Sequence, residues 1–136
     1  MQEASVPGTK RAIVILIQVG IASLHVFRFG QLLSGEWYRL YYSYFSDVAL
    51  PFGVYFLLTL LEERLPLLRP WYGKAGILLF LTTAAEGAQY FGLPVLGATF
   101  DPLDIVMYAV GVLLAALLEV KVLAPNVKGW AGSWLA

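Results

Sequence analysis

Four long apolar stretches alternate with short polar ones along this chain. The first goes from Ala12 to Phe29 and on to Leu33, interrupted by Gln18, His25 and Arg28. The second extends from about Tyr44 to Leu61, with Asp47 and Pro51 in what the pattern reads as its first turns, where a proline costs little. The third covers Ala75 to Phe91 and stops at the Gly92-Leu93-Pro94 breaker. The fourth opens at Asp101-Pro102 and ends near Ala124, before Pro125. Each approaches the roughly 20 residues a helix needs to cross the hydrocarbon core, where irregular backbone exposed to lipid would leave peptide groups unsatisfied. The pattern therefore predicts an all-α membrane protein, residues 1–136 forming one integral membrane domain. Its four transmembrane helices, over about 12–33, 44–61, 75–91 and 102–124, pack as a compact bundle. Between the first two, Trp37, Tyr38, Tyr41 and Tyr42 make an aromatic outer loop over 34–43, at the level where amphipathic rings sit among headgroups. A short interfacial helix would fit there.

Composition agrees with that plan. Of 136 residues, 60% are apolar and 13% charged, against about 25% charged in an ordinary soluble domain. Such a chain is neither disordered nor a plain soluble domain. Nine Lys and Arg balance nine Asp and Glu, so nothing calls for nucleic acid as a partner. The absence of cysteine removes disulfides, thiolate metal sites and Cys nucleophiles. Lys10 and Arg11 before an apolar run resemble the start of a signal peptide, but the run is long and no small-x-small site follows it.

The cations set the expected orientation. Lys10, Arg11, Arg64, Arg69, Lys74, Lys121 and Lys128 fall on one side of the plan, and only Arg28 and Arg39 on the other. The positive-inside rule then places both termini in the cytoplasm. With Glu3, Glu62, Glu63 and Glu119 also inside, the neutral composition conceals a polarised molecule whose outer end is acidic.

Ionisable groups within spans are expensive, so their positions carry information. Glu86 and Gln89 share a face near the end of helix 3, being three residues apart. Asp101 and Asp104 repeat that spacing at the start of helix 4, Asp47 begins helix 2, and His25 and Arg28 approach the end of helix 1. All fall in the outer half, while the inner halves hold little that is polar beyond Gln18 and Thr59. The expectation is one outward-facing acidic pocket. Glu86, Asp104 and Asp47 are the candidate catalytic residues, with Gln89, Asp101, His25, Arg28 and Arg39 as binding residues. Structural explanations compete. Asp101 before Pro102 fits an N-cap, Asp104 suits the helix dipole, and Asp47 beside Ser46 suits a helix start. His25 and Arg28 could serve as interhelical glue. Glu86 has the weakest structural excuse, set among Ala84, Ala85, Gly87 and Ala88. No metal is expected, although oxygen ligands from Asp47, Glu86, Asp101 and Asp104 would suit Mg²⁺ or Ca²⁺. Cofactors stay open.

Glu86-Gly-Ala-Gln89, then Phe100-Asp101-Pro-Leu-Asp104, then Gly111, resembles the Glu-x-x-Gln, Phe-Asp-x-x-Asp and Gly pattern of the VanZ-like family of small four-span bacterial membrane proteins. The similarity covers about Gly76 to Leu118. The family pattern has Arg and Asn where this chain has Ala98 and Tyr108, which makes Tyr108 a further binding candidate. The resemblance implies a bacterial plasma membrane location and a link to glycopeptide antibiotic resistance.

Three functions follow as expectations. The pocket binds or modifies a lipid-linked or cell-envelope ligand, with acid/base work by Glu86 and an Asp partner and with Arg28 or Arg39 holding an anionic headgroup. Alternatively, the chain is a non-enzymatic accessory subunit of a larger membrane complex. A small proton-coupled transporter is the third, fitting less well because transporter sites lie at the midplane.

Overall fold

In the computed structural model, residues 8–26, 35–92, 102–127 and 130 are described, apart from the side chains of 36–43 and 102. The described residues are helical, without strands. Helix α1 covers Gly8–Val26, α2 Glu36–Thr59, α3 Trp71–Tyr90 and α4 Pro102–Leu118. Helix α4 runs on through a π-helical turn, Glu119–Leu123, into a last turn, Ala124–Asn126. Among the described residues, two stretches are long and apolar enough to cross a membrane: Gly8–Val26, with mean hydropathy 1.4, and Leu103–Asn126, with 2.2. Tyr44–Thr59 is apolar but shorter.

Several boundaries differ from the sequence expectation. Helix α2 starts at Glu36, after Gly35 at φ 66°, so the segment expected as an aromatic loop is helical backbone continuous with α2. Rings and tyrosines are compatible with a helix, and only the glycine's left-handed turn interrupts the chain. Pro51 consequently lies well inside α2, where it has no N–H to contribute to the helix ladder. Helices α1 and α3 begin four residues earlier than their apolar runs, because Lys10, Arg11 and Lys74 are good helix formers. Residues 27–33, expected in the first helix, lie outside the described residues.

Helix α2 packs chiefly on α4, α3 packs against both, and α1 lies along α2. The α2/α4 seam is tight at Gly111, where an added Cβ would stand 2.2 Å from the Val48 carbonyl oxygen and 3.0 Å from Pro51. The connection from α2 to α3 folds back closely too. A Cβ on Gly73 would meet the Leu67 carbonyl oxygen at 1.9 Å. The core joins Val14, Tyr55, Phe56, Ala75, Leu78, Val112, Ala115, Ala116 and Trp130.

Beside this apolar core, large apolar side chains face outward and several charged ones are buried. Phe80 is 73% exposed and Leu16 68%, whereas Lys74 is 0% and Glu86 1% exposed. Charged groups are almost never fully buried in soluble proteins unless paired, so where these charges go decides what the fold can do.

Candidate functional site

The buried polar side chains gather at two levels. From Lys74 to Glu86 along α3 is 12 residues, about 18 Å at helical rise, and Leu78, Ala75, Val112 and Ala115 fill the interval.

The first centre joins all four helices. Lys10 of α1 donates to Glu62 Oε2 at 2.8 Å and to the Trp130 carbonyl at 2.9 Å. Lys74 of α3 donates to Glu62 Oε1 and pairs with Glu119 Oε1 at 2.9 Å. Tyr55 of α2 donates to Glu119 Oε1 at 3.1 Å, and the Trp130 indole N–H to Glu119 Oε2 at 3.3 Å. Two ammoniums and two carboxylates cancel, and every carboxylate oxygen has a donor. The Lys10 ammonium also lies 5.1 Å from the Trp130 ring centre, within cation–π range. Burial pushes the Glu62 carboxyl above its ordinary range, and hydrogen bonds and charge from Lys10 and Lys74 pull it back. A neutral, satisfied network of this kind organises a fold; it offers no free group to a ligand.

This centre corrects the expectation that the end opposite the acidic cluster lacks polar groups. Lys10, Glu62 and Lys74 read as loop charges because they flank apolar runs. Glu119 lay within the fourth run, and its position in Leu117-Leu118-Glu119-Val120 is the signal that would have found it.

The second centre lies at the other end and brings acidic side chains together around a phenol. Tyr108 of α4, buried, donates its hydroxyl to Glu86 Oε1 of α3 at 3.2 Å. Asp47 of α2 and Asp104 of α4 both lie close enough to act electrostatically on Tyr108, and both are half-buried. Glu86 Oε2, fully buried, has no hydrogen-bond partner among the described residues. Gln89 is buried one turn further along α3. Asp47 is interior to α2, so the helix-start explanation for it is overturned. Asp104 stands in the first turn of α4, where it also favours the helix dipole.

The other expected site residues divide. His25 does reach α2, but through Ser46 Oγ at 3.0 Å, with its other ring nitrogen 2.8 Å from the Ile21 carbonyl oxygen. It is exposed, against Phe45 at 5.0 Å between ring centres. Arg28, Asp101 and the Arg39 side chain lie outside the described residues. Among the described residues no three Asp, Glu, His or Cys side chains are placed to hold a metal ion.

The arrangement gathers three carboxyls and a phenol at one end of a helical bundle. Such a group favours positive charge nearby, and the Tyr108 hydroxyl stands as hydrogen-bond donor to Glu86. Comparisons with protein families, with curated proteins and with solved structures found no match to this chain.

Proposed function

We propose that this chain is a four-span integral membrane protein, both termini cytoplasmic, whose outward acidic centre binds a cell-envelope or lipid-linked ligand through an ammonium or other cationic group. The observation that carries the reading is the contrast between the two centres. One is charge-neutral and fully satisfied. The other gathers Asp47, Glu86 and Asp104 around Tyr108 and leaves a buried carboxyl oxygen of Glu86 without a donor among the described residues. Native structures rarely leave a buried polar atom unpaired, and exceptions concentrate where a ligand or proton completes the site.

The membrane location is supported by the two long apolar helices and by the outward-facing Leu16, Phe80 and Leu117. Positive charge beside Arg11, Arg64 and Lys121 supports the cytoplasmic assignment of that end. The Glu86, Gln89, Asp101 and Asp104 pattern makes the VanZ-like family the closest reading for the site, and glycopeptide tolerance its first phenotype to test. Expression in a susceptible bacterium should raise the tolerated concentration of a teicoplanin-type antibiotic. Glu86→Gln, present at equal level in the membrane, should abolish that gain. An undiminished gain in the variant would remove the acidic centre from the function.

A further inference from the structure

On the outside of the bundle, at the end bearing the neutral network, a cavity of about 250 Å³ opens between the start of α3 and the end of α4. Its lining is Trp71, Leu113, Ala116, Leu117, Val120 and Lys121. Five of the six are apolar, and Lys121 is exposed at one end. Leu113 and Lys121 are eight residues apart, so the groove extends about 12 Å along α4. Lys121 lies in the π-helical turn that also carries Glu119 into the buried network. Such turns recur at functional sites.

We infer that this groove is a binding site for an anionic phospholipid of the cytoplasmic leaflet, one acyl chain lying along Leu113 and Leu117 and its phosphodiester against Lys121. The inference rests on the membrane reading above and goes beyond it. Three features choose this occupant over a protein partner. A groove about 12 Å long, apolar over five of its six lining residues, fits a single acyl chain. Trp71, half-exposed at its edge, is the residue type that marks the headgroup level. Lys121 is the one cation on its lining among the described residues, at the end where the positive-inside rule places the anionic leaflet, so charge is complementary. Lys10 and Lys74 do not compete for the headgroup, because Glu62 and Glu119 already neutralise them.

The test is quenching of Trp71 by phospholipids brominated on the acyl chain. The full chain is reconstituted into phosphatidylcholine vesicles with graded brominated phosphatidylglycerol or brominated phosphatidylcholine, and Trp71→Phe isolates the Trp71 signal by difference. The anionic lipid should half-saturate the quenching at about a fivefold lower mole fraction, the size set by one lysine at the surface. Lys121→Gln should erase that preference while leaving quenching by both lipids. Val120→Phe, which fills the groove, should weaken quenching by both. Equal quenching by the two lipids in the parent protein, or an unchanged preference in Lys121→Gln, overturns the site. Shielding of Trp71 from both lipids shows a second copy or another protein in the groove and overturns it equally. A chain that fails to float with the vesicles overturns the membrane reading itself.

Discussion

Lys74 Nζ lies 2.9 Å from Glu119 Oε1 with both side chains buried, so α3 and α4 are joined by an ion pair that water does not reach. Breaking such a pair from one side leaves an uncompensated charge. Lys74→Met should therefore lower stability by about 3–5 kcal/mol, measured by thermal unfolding in mild detergent. Lys74→Met with Glu119→Gln should recover part of the loss, with a coupling of about 0.5–3 kcal/mol. Simple additivity of the two would mean that the pair does not act as one.

Glu86 and Tyr108 should show the opposite balance. Glu86→Leu combined with Tyr108→Phe removes the half-satisfied buried carboxyl together with its donor, so the pair should leave the melting temperature unchanged or raise it while abolishing the phenotype. Replacing both polar partners by apolar groups is nearly neutral in many proteins, and sites tuned for function often cost stability. Tyr108→Phe, which removes the donor and keeps the carboxyl, should lose about 1–3 kcal/mol. A large stability loss in the Glu86→Leu, Tyr108→Phe double variant would mark the acidic centre as structural.

Glycine tests the α2/α4 seam. Gly111→Ala would press a methyl into the Val48 carbonyl and should cost about 1–3 kcal/mol. Gly76→Ala, with nothing within 4 Å of the new atom, should be neutral or gain up to about 1 kcal/mol from helix propensity. Equal melting temperatures for the two variants would contradict the close approach of α2 and α4.

Acidity reads the neutral network through Glu62. Burial holds its folded carboxyl above the ordinary value of 4.5, so the folded protein binds this proton more tightly than the unfolded chain. Its contribution to stability is complete below about pH 4.5 and is lost as the pH rises through the folded value. The melting temperature should carry that downward component, and Glu62→Gln, which cannot titrate, should lack it. An identical slope in the variant would assign the proton uptake to another group.

The helical class follows from the apolar runs, because their length and the scarcity of charge leave few alternatives. Helix starts were harder to read. Glu36 to Ser43 carries rings that suit an interface as well as a helix, and only Gly35 marks the boundary. Within the acidic centre, Glu86 stood out because a mid-helix carboxyl has no capping role. Tyr108 stood out only through the family resemblance, since a tyrosine in an apolar helix passes for core. The Lys10, Glu62, Lys74, Glu119 network was illegible for a different reason. Each member sits at a run's edge or just inside it, where a charge reads as solvated, and 52 residues separate Lys10 from Glu62. Trp130, beyond the last apolar run, gave no sign that its carbonyl and indole complete the set.

That same separation imposes an order on assembly. Lys10 reaches Glu62 across 52 residues and Trp130 across 120. At a synthesis rate of about 5–20 residues per second, the first lysine waits roughly 3–10 s for its carboxylate and still longer for its tryptophan. During that interval Lys10 is a cation without the carboxylate that neutralises it in the folded chain. Only when the end of α4 and Trp130 arrive can the Lys10 ammonium take its place in the buried network that closes the bundle.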